Sequence, residues 1–347
     1  MADDANGQAR GLRAIPTAKL VTALGVHYGL DASAAADLGG GLNLNLLVMK
    51  GSARYVARVY RPYVTPERLD DIQRVRRELA RAGVPCSPPV PTGDGKPWIR
   101  VEGRMVEVES YVEHDHSRMI TPDLLQRGLP MLGRIHSLLR EVEVSPAGRL
   151  TRYANHIEPD EVYRGTAAGT ARIRSWDTTP AERLLADRSD RLAALVWEAE
   201  SGLVGRLPRQ LVHGDFWDDN VFFRGARLVH VGDFDFMGEH ARIDDLALTL
   251  HFADVEFGHL DNGRRIDALR RLVDAYGSGL DQRLSDVERT ALPWALARQP
   301  LWSIGGWVPR LDDQDHARRH AAASMDEVER ALWIAQDADR WVAAFTR

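Results

Sequence analysis

The sequence predicts an α+β chain of two lobes: a small antiparallel-sheet lobe followed by a larger, mainly helical one. Two observations predict it. Short β-type runs joined by glycine-containing turns fill much of the stretch up to Val112, whereas most apolar runs beyond it recur at helical spacing. A chain of 347 residues with 44% apolar content also has enough apolar side chain to bury two modest cores. The expected boundaries are a polar, disordered tail over 1–11, the sheet lobe over 12–112 and the helical lobe over 113–347.

In chain order, Ile15–Tyr28 has helical periodicity through Leu20, Val21 and Leu24, and Pro16 suits a first turn. Gly39-Gly40-Gly41 then leads into a strand ending at Val48, Gly51-Ser52 turns the chain, and Tyr55–Tyr60 forms a second strand. Pro66–Ala82 reads as a helix with Ile72, Val75 and Leu79 inward, stopped by Gly83-Val84-Pro85. Trp98–Val101 and Met105–Val112 make a hairpin around Glu102-Gly103. Leu124–Leu139 is a helix with Leu125, Leu129, Leu132, Ile135, His136 and Leu139 on one side, and His136 reads as buried and structural. Arg149–Arg191 is long, charged and irregular, with a helix from Pro180 to about Ser201. Further helices are expected near Asp244–Val255, Arg264–Tyr276, Asp286–Arg298 and Ala317–Thr346.

Composition excludes several classes of protein. No apolar run approaches the ~18 residues that a membrane-spanning helix needs, so no membrane partner is expected. No charged-then-apolar leader opens the chain, and a single cysteine, Cys86, excludes intramolecular disulfides and cysteine metal clusters; both fit a cytoplasmic protein. A net charge of −5 and the lack of a basic stripe argue against a nucleic-acid partner. Either a monomer or a homodimer fits this composition.

The chemistry is concentrated in Leu211–Phe236, LVHGDFWDDNVFFRGARLVHVGDFDF, which reads as strand, loop, strand, turn and strand. Phosphoryl transfer requires a carboxylate that orients a hydroxyl, next to an amide and a second carboxylate that hold magnesium. Asp215, Asn220 and Asp233 supply these groups in that order. Arg224-Gly225-Ala226-Arg227 reads as a tight turn. Pairing Arg224 with Arg227 puts Asn220 opposite Val231 and makes Asp233 its diagonal neighbour on the same face. His213 is assigned to holding the loop.

HGDFWDDN, VGDFDF and ARIDDLALTL together resemble the aminoglycoside phosphotransferase family, whose relatives include homoserine, choline and methylthioribose kinases and nucleoside-antibiotic phosphotransferases. The family's HGDxxxxN box, Ile-Asp-Phe/Trp segment and Asp-Leu-Ala segment all have counterparts, with Gly232 standing where a β-branched residue is usual. The resemblance implies a two-lobed protein-kinase-like fold, ATP or GTP as phosphoryl donor, Mg²⁺, and a small-molecule alcohol as acceptor. It makes Asp215 the catalytic aspartate, Asn220 and Asp233 the magnesium ligands, and Asp245 a structural aspartate. Gly40 and Gly41 fall in the hairpin that covers the nucleotide, where backbone amides approach phosphates. Arg58 stands where the family has a phosphate-binding lysine, and its planar fork suits two phosphate oxygens. The acid that pairs with this cation comes from the following helix, with Asp71 and Glu78 both open. Backbone groups from Ser110 to Val112, where the resembled fold crosses between lobes, are expected on the purine edge.

For the acceptor, Asp254 and Glu256, with Asp312, Asp313 and Asp315 after Arg310, suggest an acidic cleft that would attract a polycation. Arg310 is counted among the acceptor residues, and Trp302 and Trp307, flanking Gly305-Gly306, read as packing residues. The expected function is ATP- and magnesium-dependent phosphorylation of an aminoglycoside or other antibiotic. The alternatives are a metabolic alcohol such as homoserine, choline or a sugar as acceptor, or a non-catalytic nucleotide-binding regulator.

Overall fold

The computed structural model describes residues 13–62, 64–115, 119–151 and 158–346, so the expected tail over 1–11 lies outside the described residues. The chain forms two compact units. One comprises Met1–His114, Glu143–Gly148 and Val229–Gly232; the other comprises Asp115–Val142, Arg149–Leu228 and Asp233–Arg347. An α+β chain with a small antiparallel sheet and a mainly helical remainder is what the sequence predicts and what the structure has.

The first unit begins with α1 (Ala18–Tyr28), capped by Thr17, whose hydroxyl accepts the Leu20 N–H, and closed by Gly29 in the left-handed region. Pro16 therefore precedes the cap instead of filling the first turn. A five-stranded antiparallel sheet follows, in the order β1 (Asp31–Asp37), β2 (Leu44–Lys50), β3 (Ala53–Val59), β5 (Arg104–Ser110), β4 (Ile99–Val101). Strand β1 is not expected from its sequence, DASAAAD, which lacks β-branched and aromatic residues; edge pairing with β2 holds it extended. Period-two alternation sorts the sheet faces. Leu44, Leu46, Val48, Ala57, Val59, Val106 and Val108 join Leu20, Leu24 and Tyr28 of α1 in one core. Each buried Leu or Val stabilises the fold by about 1.5–3 kcal/mol. Glu107 and Glu109 alternate onto the other face, yet both are buried, because Arg76 of α2 (Pro66–Arg81) reaches both carboxylates.

The second unit contains α3 (Pro122–Leu139), α4 (Pro159–Arg174) and α5 (Pro180–Ser201), followed by β6 (Arg209–Val212). A hairpin of β7 (Val221–Arg224) and β8 (Arg227–Val231) follows in the chain, with Val229–Gly232 counted in the first unit, and β9 (Gly238–Ala241) then returns antiparallel to β6. The remaining helices are α6 (Arg242–Glu256), α7 (Asn262–Ser278), α8 (Asp286–Arg298), α9 (Gln314–Ala323), α10 (Met325–Gln336) and α11 (Ala338–Thr346). The single helix expected over Ala317–Thr346 is three, broken at Ser324 and Asp337.

Helix α4 occupies part of a stretch that reads as irregular. Its Gly165 and Gly169 each lower intrinsic helix stability by about 1 kcal/mol, but contact with the π-helical turn Ser303–Trp307 requires them. A methyl group on Gly169 would strike the Ile304 carbonyl, and one on Gly305 would come 2.6 Å from the Gly165 main chain. The two segments meet backbone to backbone. Among the described residues no helix is long and apolar enough to cross a membrane.

Candidate active site

The loop after β6 is anchored from below. Asp245, in the first turn of α6 and fully buried, accepts the Gly214 N–H at 2.8 and 3.0 Å. The same carboxylate faces His136 Nε2 at 3.0 Å, while His136 Nδ1 faces the Tyr276 hydroxyl at 2.8 Å. His213, also fully buried, accepts the Asp215 N–H on Nδ1 at 3.2 Å, so that nitrogen carries no proton. Asp215 is thus held through its own amide and that of its neighbour, and its side chain stays half-buried. Asn220 Nδ2 donates to Asp215 Oδ2 at 2.7 Å and to the Asp215 carbonyl at 2.9 Å. With the amide nitrogen turned to Asp215, the amide oxygen of Asn220 is the end not spent on it.

Asp233 is placed differently from the strand geometry expected for it. Strand β8 ends at Val231, and Asp233 adopts φ 55° and ψ 63° at the start of a 3₁₀ turn, Phe234–Phe236. For a residue with a Cβ that conformation costs about 1–2 kcal/mol. The chain has left the strand before Asp233, so Asp233 does not continue the β8 ladder. What connects the two segments is aromatic: the Phe234 ring packs on His213 with centroids 4.4 Å apart. Asp215, Asn220 and Asp233 therefore lie on segments pinned to each other by the side chains beside them.

In the first unit, Gly40 and Gly41 lie in the loop between β1 and β2. Gly40 has φ 100°, and a Cβ there would come 2.9 Å from Asn45 Nδ2. Arg13 braces this loop, donating to the Gly40 carbonyl at 2.8 Å and pairing with Asp37 at 2.6 Å, a support the sequence reading missed. Arg58 sits on β3 with Glu107 of β5 as its direct cross-strand partner. Helix α2 contributes a cation to this face, Arg76, which pairs with Glu107 and Glu109. Asp71 accepts the Ser145 N–H at 3.1 Å and pairs with Arg74 at 2.6 Å, and Glu78 is half-buried. The acid facing Arg58 across the strands is Glu107, which also accepts from the Tyr60 hydroxyl and Gln73 Nε2, both at 2.6 Å. Burial pushes the Glu107 carboxyl up, but Arg76, Tyr60, Gln73 and Arg58 outweigh it and hold the group below the usual carboxylate range. His230 of β8 belongs to the same unit. Burial, then Arg76, Arg58 and His114, push it down to about 3, so it stands neutral at physiological pH.

The proposed purine edge is partly committed. The Ser110 carbonyl accepts the Ser87 hydroxyl at 3.3 Å, and the Tyr111 N–H donates to the Arg54 carbonyl at 3.1 Å. The Val112 carbonyl faces His114 Nδ1 at 2.8 Å. Among the described residues the Val112 N–H has no partner.

The acidic cleft needs correcting. Asp254 is 3% exposed and held in a two-pronged pair by Arg265 at 2.8 and 3.1 Å. Its charge is neutralised inside the fold and cannot draw in a polycation. Glu256, Asp312, Asp313 and Asp315 are exposed, and Asp313 caps α9 through the His316 N–H. Arg310 is exposed, with its guanidinium 5.6 Å over the Trp302 ring.

A loop aspartate braced by a buried acid, followed by a hairpin and a second aspartate, defines a kinase-like phosphotransferase. The model of the phosphotransferase enzyme family matches residues 34–284, and the chain belongs to that family. It is a small-molecule kinase. The chain is 27% identical over 258 residues to a homoserine kinase of Bradyrhizobium diazoefficiens, covering 72% of this chain and 71% of that one. It is 24% identical over 297 residues to the homoserine kinase of Granulibacter bethesdensis, covering 80% and 84%. Among solved structures, a microcompartment-associated aminopropanol kinase superposes with a TM-score of 0.70 at 18% identity, covering 94% of this chain and 98% of that one. An amicoumacin kinase in complex with AMP-PNP, Ca²⁺ and its antibiotic gives 0.67 at 14% identity, covering 90% and 92%.

Proposed function

We propose that the chain transfers the γ-phosphoryl group of ATP to the hydroxyl of a small metabolic alcohol, with Asp215 as the group that orients the hydroxyl and accepts its proton. The observation that carries this reading is the clamp on Asp215: the Asn220 amide fixes one carboxylate oxygen while Asp245 and His213 fix the loop. In a loose transition state most of the catalysis comes from positioning and charge neutralisation, and a loop held this way supplies the positioning.

The donor set suits a hard divalent cation, since the Asn220 amide oxygen and the Asp233 carboxylate are oxygen ligands and Mg²⁺ completes its shell with water and phosphate. These two residues would hold it. When bound, such a cation neutralises developing charge on the β- and γ-phosphates. Arg58, set against Glu107, is assigned to the α/β side, the Gly40–Gly41 loop to covering the phosphates, and the Val112 N–H to the base edge. A metabolic acceptor is favoured over a polycationic antibiotic because Asp254 is already neutralised by Arg265. An antibiotic acceptor is the second reading, supported by the fold likeness to kinases of amicoumacin and spectinomycin.

The test is ADP release with an acceptor panel that includes amino alcohols, choline and aminoglycosides. Wild type should release ADP with one acceptor class, and Asp215→Ala and Asp233→Ala should both abolish it. Undiminished turnover in both variants ends this mechanism. A shift in an antibiotic's inhibitory concentration on expression would move the assignment to the second reading.

A further inference from the structure

Thr249 sits in the middle of α6, where a β-branched side chain with a hydroxyl lowers intrinsic helix stability. A threonine inside a helix ordinarily turns its hydroxyl back to the carbonyl four residues earlier. Here that carbonyl, of Asp245, is 3.4 Å away, and the hydroxyl donates more closely to the Phe216 carbonyl in the loop after β6. Phe216 is fully buried, so bulk water does not serve its carbonyl. Among the described residues no other donor reaches it.

The contacts on either side of it form a row. Asp245 accepts the Gly214 N–H, Thr249 donates to the Phe216 carbonyl, and the Phe252 ring stacks on Trp217 with centroids 4.6 Å and planes 26° apart. Spacings of four and three residues place Asp245, Thr249 and Phe252 on one stripe of the helix. From Asp245 to Phe252 the helix rises about 10 Å, and an extended chain from Gly214 to Trp217 spans about the same distance. Loop and helix therefore run side by side, with Asp215 between two tied points. Trp217 carries the tie further, since its N–H donates to the Asp215 carbonyl and its carbonyl accepts the Asn220 N–H, both at 3.1 Å. The helix itself is held from elsewhere: Arg265 of α7 pairs with Asp254, and Glu327 of α10 faces His251 at 3.5 Å.

We propose that Thr249 and Phe252 are positioning residues for Asp215, fixing the loop just after that carboxylate as Asp245 fixes it just before. The proposal rests on the reading of Asp215 as the group that orients the acceptor hydroxyl. A loop tied at one point can pivot about it, and a displacement of about 1 Å at a reacting group can cost roughly a hundredfold in rate. A second tie beyond Asp215 removes that freedom.

Thr249→Val, Thr249→Ser and Phe252→Leu test it beside wild type, with urea unfolding to show that each variant is folded. Two quantities are measured: kcat and KM for ADP release with L-homoserine, choline and kanamycin as acceptor probes, and hydrogen–deuterium exchange of the peptide spanning 213–220. Thr249→Val keeps the side-chain shape and removes the donor, so kcat should fall about tenfold, the loss of one buried hydrogen bond. KM for ATP should stay unchanged, because the interaction lost is one that matters in the transition state. Thr249→Ser restores the hydroxyl and should recover most of the rate, whereas Phe252→Leu removes the ring stack and should lower kcat by a smaller factor. The 213–220 peptide should exchange faster in Thr249→Val and Phe252→Leu, while peptides from α3 and α7 exchange as in wild type. Wild-type kcat in folded Thr249→Val would overturn the proposal and leave the kinase reading standing. Equal losses in the Val and Ser variants would trace the effect to packing and overturn it as well. Faster exchange confined to the loop, with no ADP from wild type and any probe, would keep the brace and sink the kinase reading instead.

Discussion

Asp245 supports a direct calculation. Its fully buried carboxylate accepts the Gly214 N–H and faces His136 Nε2, so Asp245→Ala orphans at least these two buried groups. A buried polar group without a partner costs about 1–3 kcal/mol, so the variant should lose roughly 2–6 kcal/mol. Losing a carboxylate from the first turn of α6 adds about 0.3–1 kcal/mol through the helix dipole. Asp245→Asn keeps one oxygen and turns an NH₂ toward one of the two groups, so its loss should be roughly 1–3 kcal/mol. Urea unfolding followed by tryptophan fluorescence gives the stability. Activity separates anchoring from bulk stability. Gly214 precedes Asp215, so a slackened anchor misplaces the carboxylate proposed to orient the hydroxyl, and Asp245→Asn should lose at least about tenfold in kcat while urea shows it folded. An Asp245→Asn enzyme with wild-type stability and wild-type kcat would refute the reasoning.

Two further outcomes are expected. Glu107→Gln leaves the buried Arg76 guanidinium with Glu109 and should cost about 3 kcal/mol, whereas Glu107→Gln combined with Arg76→Met also strips the buried Glu109 of its cation and should cost more than the single change; chemical denaturation of both variants decides it. Glu200 links stability to pH: burial, opposed by Arg298 and reinforced by Asp244, raises its carboxyl from 4.5 to about 7. The folded protein then keeps a proton that the unfolded chain releases, so this contribution is whole below pH 4.5 and lost as pH rises toward 7. At about 1.4 kcal/mol per unit the window spans roughly 3 kcal/mol. Glu200→Gln should flatten melting curves across it, and an unchanged wild-type slope in the variant would contradict the assignment.

Where the sequence was legible, one physical signal dominated locally. Helix α3 shows its apolar stripe at Leu125, Leu129, Leu132, Ile135 and Leu139, and all five are buried. The hairpin announces itself by a turn motif between two β-type runs. Illegible elements depend on remote partners. Strand β1 is extended because β2 lies beside it, and α4 carries helix-weakening glycines because a turn more than a hundred residues away touches its backbone. The same division holds within the site. The order of Asp215, Asn220 and Asp233 is local, but the conformation of Asp233 is fixed by the 3₁₀ turn and by Phe234 on His213. In the sequence Glu107 is only one position of the β-type run Met105–Val112. Only the register that sets it against Arg58, and the helix that delivers Arg76, give it weight. Asp254 misled for the converse reason, since Arg265 lies eleven residues on and nothing in the intervening sequence marks the pair.

The contact of α4 with the Ser303–Trp307 turn constrains how this part of the scaffold can change. Because main chain meets main chain there, any bulkier residue at Gly169 or Gly305 forces the segments apart. Variation is left to the side chains around it, at exposed positions such as Glu161 and Arg310, where charge can be swapped without moving a helix. The spacing of the two segments is thereby inherited, while the side chains around their contact stay free to diverge.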